Sequence, residues 1–293
     1  MNTLLHSDDS ALSPQRVSTA ALLERATERL AAESDTPRLD ADVLLAFATG
    51  RARASLLAFP ERELEPDTTG RFAALVTRRA NGEPLAYLTG RREFFSLVLE
   101  VSPEVLIPRP ETELLVERTL ARCVSLRRPK VLDVGTGSGA IALAVKHALS
   151  EALVTGADVS AEALAVARAN AAWLGLDARW VESRWLEAFA GERFDVIASN
   201  PPYVRSAEVC GALKREPRLA LDGGTDGLDA YRVLLAEAPN HLHPGGVLLI
   251  EHGAAQRPEL VALAIDFGWR VAAEHDDLAG RPRVLELERS GVP

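Results

Sequence analysis

Val131-Leu132-Asp133-Val134-Gly135-Thr136-Gly137-Ser138-Gly139-Ala140 is the stretch whose reading decides the fold. A short apolar strand runs into closely spaced glycines, and an apolar helix follows from Ala140 to Leu149. Glycine there lets the chain turn sharply and approach a ligand closely, and the N-terminus of the next helix attracts that ligand's negative group. The Gly-Lys-Ser/Thr of a phosphate-binding P-loop does not follow. Gly135, Gly137 and Ala140 satisfy the dinucleotide pattern, and Asp158 stands near the distance expected of an acid that takes two vicinal ribose hydroxyls. On this shape alone the loop fits NAD(P) and S-adenosylmethionine equally.

Downstream, strand and helix alternate. Strands are expected at Leu153 to Ala157, Ala178 to Val181, Phe194 to Ser199 and Val247 to Glu251. Helices are expected at Ala161 to Leu174, at Leu228 to His241, and through Leu260, Leu263 and Ala264. Repeated βα units predict an α/β fold, a parallel, doubly wound sheet with helices on both faces. Trp269 to Val271 and Arg283 to Leu287, with little helix between them, predict an antiparallel finish.

Upstream, the period is helical. Ala20, Leu22, Leu23, Ala26 and Leu30 recur at helical spacing. Thr36-Pro37 reads as an N-cap followed by proline at the first helical position, and Gly50 closes that segment. These patterns predict a flexible tail over 1–16, a small helical domain over 17–90, a hairpin linker over 91–108 and the main domain over 109–293. The helical domain carries no catalytic constellation, so it reads either as a structural cap or as a substrate-docking module. Ile107-Pro108-Arg109-Pro110-Glu111-Thr112 stiffens the entry to the next helix, with Arg109 and Glu111 read as helix-start charges.

Composition narrows the function. The 293-residue chain is 47% apolar and 26% charged, as a soluble globular protein is. A formal net charge of -9 argues against broad nucleic-acid binding, which needs clustered Lys and Arg. No run is apolar enough to span a bilayer, and the first residues do not read as a signal peptide. Cys123 and Cys210 are lone and far apart, so neither a disulfide framework nor a metal site is expected. A cytoplasmic protein without membrane or metal is the expectation.

Asn200-Pro201-Pro202-Tyr203 follows the Phe194 to Ser199 strand. Two prolines with fixed φ and no N–H make a rigid, donor-poor corner, and Asn200 brings an amide that both donates and accepts. Such a corner suits a planar N–H₂ group, although Asn-Pro and Pro-Pro also mark ordinary turns. Its place at the carboxyl end of a strand beside the glycine loop favours S-adenosylmethionine over a hydride carrier, because no matching His or Lys sits there to move a proton. His147, His241, His243, His252 and His275 read as structural or solvated. Glu251 ends a strand, where it lines the cleft or is a strand-end charge, and Glu216 to Gly224 reads as a loop over the cleft.

These stretches, with Pro84 to Gly90, Glu216 to Gly224 and Gly280 to Val284, resemble the HemK/PrmC family of protein-(glutamine-N5) methyltransferases over nearly the whole chain. The resemblance implies a seven-stranded class I (Rossmann-like) methyltransferase sheet behind a small N-terminal helical domain. It implies that Gly135, Thr136, Gly137, Ser138, Gly139 and Asp158 bind S-adenosylmethionine, with Trp185 as the aromatic at the adenine side. Arg184 stands where an acid often precedes that aromatic. It further implies that Asn200 touches cofactor and substrate, and that Asn200, Pro201, Pro202 and Tyr203 hold the glutamine of the Gly-Gly-Gln motif of class 1 release factors. A monomer is expected. Glutamine methylation of a ribosomal protein, adenine-N6 methylation of nucleic acid and a non-enzymatic nucleotide-binding module are the competing readings.

Overall fold

The computed structural model describes residues 17–290, which form two compact units dividing between Gly90 and Arg91. The expected tail over 1–16 lies outside the described residues.

The first unit holds α1 (Thr19–Leu30), α2 (Pro37–Thr49), α3 (Arg53–Ala58), α4 (Pro66–Ala80) and α5 (Leu85–Thr89). Ser18 caps α1 by accepting the Ala21 N–H at 3.3 Å. Proline opens α2 and α4, and left-handed glycines, Gly50 (φ 67°) and Gly90 (φ 70°), close α2 and α5. Thr36 stands at the cap position of α2, but its hydroxyl makes no backbone cap and donates instead to Asp40 at 3.3 Å. Asp40 is buried and also accepts from Ser34 and from Arg79 of α4, tying α2 to α4. Leu22, Leu30, Leu44, Leu45 and Phe72 sit in one apolar core.

The second unit runs β1 (Arg91–Phe94), β2 (Leu97–Glu100), α6 (Glu113–Cys123), β3 (Lys130–Val134), α7 (Ala140–Ala148), β4 (Leu153–Asp158), α8 (Ala161–Leu174), β5 (Arg179–Glu182), β6 (Phe194–Ser199), α9 (Asp229–Glu237), β7 (Leu242–Glu251), α10 (Arg257–Asp266), β8 (Trp269–Asp276) and β9 (Pro282–Arg289). β1 and β2 form an antiparallel hairpin whose turn residues, Phe95 and Ser96, both have positive φ. The hairpin is part of this unit's core through Phe94, Leu97 and Leu99. Asn170 of α8 satisfies both the N–H and the carbonyl of Glu100.

The other seven strands form one sheet in the order β5-β4-β3-β6-β7-β9-β8. It is parallel through β7 and antiparallel at β9, which inserts between β7 and β8. Both faces are covered: Val131, Val196 and Leu249 pack on one side, Leu132, Ile197 and Leu248 on the other. Strands buried on both faces read as continuous apolar runs, which is how they were visible in the sequence. The strand order reverses between β3 and β6, and ligands bind outside the carboxyl ends at such a point.

The boundaries of four elements differ from expectation. The helix expected to His241 leaves α geometry after Glu237 and continues as a 3₁₀ turn over Ala238–His241, where Pro239 removes a helix donor. β7 begins at Leu242 and runs through Pro244-Gly245-Gly246. β8 and β9 outrun their apolar stretches because charged partners continue the ladder, Arg270 with Glu288 and His275 with Glu286.

Candidate functional site

The glycine loop is built from backbone bonds that only its residue types permit. Gly135, Gly137 and Gly139 have φ of 75°, 54° and 81°. The N–H groups of Gly135 and Thr136 both donate to the Ala157 carbonyl at 2.9 Å, stitching the loop to β4. A side chain at Gly139 would put its Cβ 2.9 Å from the Trp180 ring. Asp133 is fully buried and accepts from the Thr136 hydroxyl at 2.6 Å and the Ala142 N–H at 3.1 Å. Burial pushes its carboxyl up to about 7, with these two bonds opposing and the Asp158 charge adding.

Asp158 accepts the Gly137 N–H at 2.9 Å through Oδ2 and the Ser160 N–H at 3.0 Å through Oδ1. A carboxylate has about four acceptor directions, so each oxygen keeps one for a further donor. Asp158 lines a cavity of about 390 Å³ with Gly135, Gly137, Trp185, Asn200 and Pro202. Thr136 and Ser138 are buried beneath the loop, and neither they nor Gly139 line this cavity. Trp185 is a non-glycine residue at φ 51°, held there by Ser183, whose hydroxyl donates to the Trp185 carbonyl at 3.0 Å and accepts the Ala188 N–H at 3.1 Å. Arg184 is exposed and also lines the cavity.

The cavity's far wall comes from two segments remote in sequence, with Val105 and Leu106 on one and Pro217, Leu219 and Ala220 on the other. Glu216 latches them together. Its Oε1 pairs with Arg109 Nη2 at 2.5 Å, and its Oε2 accepts the Ile107 N–H at 3.1 Å. Arg109, at the cap position of the 3₁₀ turn over Pro110–Thr112, is therefore also a partner of the loop over the cleft. Glu111 faces Arg283 at 3.9 Å.

Asn200-Pro201-Pro202-Tyr203 continues from β6, and no cis peptide bond occurs among the described residues. The corner is held from behind. Val204 N–H donates to Leu221 and Gly223 N–H to Val204, a parallel bridge that brings the Glu216 to Gly224 loop against it. Gly223 has to be glycine, since a Cβ there would lie 2.8 Å from both the Pro202 carbonyl and Tyr203 Cα. Gln256 Nε2 donates to the Tyr203 carbonyl at 3.0 Å. Asn200 Nδ2 donates to Thr112 Oγ1 at 3.1 Å, which turns the amide's oxygen end away from Thr112. Burial pushes the Tyr203 hydroxyl above its ordinary value, so it is neutral at physiological pH.

Of the histidines, His252 is buried and its pKa is lowered by burial, and His275 bonds to Glu286 at 2.8 Å. A wider depression of about 600 Å³ lies at the opposite ends of the strands, among Lys130, Lys146, Arg179 and His243. Two of its cations are already engaged, Arg179 with Glu192 and Lys146 with two backbone carbonyls. The strand-end cavity beside Asn200 is the better candidate.

Each of the two units matches a known protein family. A model described as the PrmC N-terminal domain matches residues 21–90, and one described as the methyltransferase small domain matches 110–216. The chain is 46% identical over 268 residues to a release factor glutamine methyltransferase from Moorella thermoacetica, covering 89% of this chain and 95% of that one. It is 39% identical over 265 residues to a protein of the same description from Coxiella burnetii, covering 90% and 96%. Among solved structures, a T. thermophilus 16S rRNA N2 G1207 methyltransferase superposes with a TM-score of 0.50 at 21% identity, covering 68% of this chain and 49% of that one. At that identity the likeness concerns the fold.

Proposed function

The chain belongs to the release factor glutamine methyltransferase family, and from that premise we propose that it moves a methyl group from S-adenosylmethionine to the side-chain amide nitrogen of the glutamine in the Gly-Gly-Gln motif of a class 1 release factor. The observation that carries this reading is one amide. Asn200 lines the same cavity as Asp158 and Gly137 while its nitrogen is tied to Thr112.

The residues fit the cofactor. The spare acceptor direction on each Asp158 oxygen suits the two ribose hydroxyls, Gly135 and Gly137 leave room for close backbone approach, and Trp185 offers a flat apolar wall for an adenine. When bound, S-adenosylmethionine supplies a methyl group on a sulfonium centre.

A glutamine amide nitrogen is a poor nucleophile, its lone pair being delocalised into the carbonyl. Asn200 Oδ1 and the Pro201 carbonyl each accept one N–H of the target, orienting the nitrogen and drawing electron density onto it. Pro201 and Pro202 offer no competing donor. Tyr203 packs on the amide plane and excludes water. Good orientation of reacting groups is worth about 7–11 kcal/mol of barrier, so no strong base is required for the transfer. The nitrogen–carbon bond forms as the sulfur–carbon bond breaks. The methylated nitrogen, now strongly acidic, gives up its surplus proton to solvent as the product leaves. The helical unit we assign to docking the release factor.

Methyl-labelled cofactor, purified release factor, its Gln→Ala variant, DNA and ribosomes together test the reading. Label is expected on the wild-type release factor only. Label on nucleic acid or a ribosomal protein and not on the release factor would reverse it.

A further inference from the structure

Glu251 is buried with neither carboxylate oxygen in hydrogen-bond geometry among the described residues, although the Thr112 and Tyr203 hydroxyls stand beside it. It ends β7, one position beyond the Ile250–Ser199 pair, and so stands level with Asn200 on the neighbouring strand. Its side chain has no exposure, and neither oxygen has a hydrogen-bond partner among the described residues. Buried polar atoms are almost always satisfied, so an unsatisfied pair beside a reaction site calls for a function.

The groups facing it come from four elements. Thr112 and Glu111 belong to the 3₁₀ turn over Pro110–Thr112, Tyr203 to the corner and Arg283 to β9. Tyr231 of α9 donates to the Glu251 backbone carbonyl at 3.1 Å. Burial pushes the carboxyl up to about 7 and the Glu111 charge adds to this, while the Thr112 and Tyr203 hydroxyls and Arg283 favour the charged form.

Thr112 links the carboxyl to the corner. A hydroxyl has one proton to donate and two lone pairs. The Thr112 oxygen already accepts from Asn200 Nδ2, so its proton must point elsewhere. The Glu251 carboxylate is the acceptor close by whose charged form that hydroxyl favours. With the proton drawn toward Glu251, lone pairs face Asn200, and its amide keeps nitrogen inward and oxygen toward the cavity. A protonated Glu251 removes that bias and can itself donate to the Thr112 oxygen. The hydroxyl proton is then free to turn to Asn200, which favours the flipped amide. That amide would present donors to a target that also carries donors.

We propose that Glu251 is a positioning residue for the methyl acceptor: through the Thr112 hydroxyl, its carboxylate sets the Asn200 amide with Oδ1 facing the target nitrogen. This rests on the methyltransferase reading above. Two measurements on the full-length protein test it. In turnover with release factor, T112V lowers kcat by roughly tenfold, the worth of one orienting hydrogen bond, with little change in KM for the release factor. T112S restores it. Wild-type kcat rises with pH through a midpoint near 7, and E251Q loses that limb. In protein labelled with ¹⁵N-asparagine, the Asn200 side-chain resonance (identified by its loss in N200A) titrates in the same range in wild type and is flat in E251Q and T112V. A T112V enzyme that turns over like wild type, or wild-type and E251Q pH profiles that superimpose, overturns the proposal, as does an Asn200 resonance that does not titrate. A wild-type chain that transfers no methyl to release factor would sink the functional reading instead, while the resonance would still judge this one.

Discussion

Asp158→Asn isolates the cofactor site with the least change in shape. In the native chain each carboxylate oxygen accepts one backbone N–H, from Gly137 and from Ser160. The amide has one acceptor oxygen, so whichever way it turns, Nδ2 faces one of those N–H groups. The same nitrogen can no longer accept a ribose hydroxyl. A hydrogen bond to a charged group is worth about 1.5–3 kcal/mol, so losing one of two weakens cofactor binding ~10–150-fold at 1.4 kcal/mol per tenfold. Isothermal titration with S-adenosylhomocysteine measures this directly. A deoxyribose analogue supplies the cross-check: lacking the hydroxyl, it should lose less affinity on the substitution than the parent compound. If Asp158→Asn binds within threefold of wild type, or both ligands lose equally, Asp158 does not hold the ribose.

Asn200→Ala removes one preorganised acceptor at the reacting nitrogen, and methyl transfer to release factor should fall by roughly 10²–10³-fold while S-adenosylhomocysteine binding survives in part. A wild-type rate in a single-turnover assay would contradict the amide clamp. Glu216→Gln weakens the latch between Ile107, Arg109 and the loop over the cleft, and cofactor release followed by Trp185 fluorescence should quicken several-fold, the ~1 kcal/mol expected of a partly exposed charge pair. An unchanged off-rate would mean the latch does not gate the cavity. Gly156→Ala drives a Cβ into the Trp180 ring and to 2.8 Å from the Thr136 hydroxyl. The denaturation midpoint should drop by the equivalent of ~1–3 kcal/mol, and an unchanged midpoint would show that Trp180 can yield. Asp133 and Glu251 are both pushed up to about 7 from ordinary values of 3.8 and 4.5. The folded state holds their protons longer than the unfolded chain, so stability falls as pH climbs through that window. Chemical denaturation of Glu251→Gln across pH 4–8 should give a shallower slope than wild type.

The residues that could be read in advance are those whose neighbours are close along the chain. Gly135 to Gly139 follow their own strand and precede their own helix, and Asp158 and Asn200 each sit at a strand end. Strands lying parallel bring such ends to one edge. Residues missed or misread meet the site from far away. Thr112 reaches Asn200 across 88 positions, Glu216 reaches Arg109 across 107, and Gln256 reaches Tyr203 across 53. Thr112 carried a signal in retrospect, standing beside the two prolines that hold its turn. Thr136 and Ser138 show the converse: the loop motif was plain, but which of its side chains face inward is set by Asp133 and Asn170 beneath them.

The sequence by itself determined the alternation of strand and helix, the glycine turn and the proline corner, because periodicity, φ restriction and missing donors are properties of a few consecutive residues. Tertiary structure alone decided that the corner's amide is tied by its nitrogen, that a charge pair closes the cavity wall, and that the Glu251 carboxylate is buried beside Thr112 and Tyr203 with neither oxygen in hydrogen-bond geometry among the described residues. Those outcomes depend on desolvation and on groups brought from separate elements, and neither is written in the local chain.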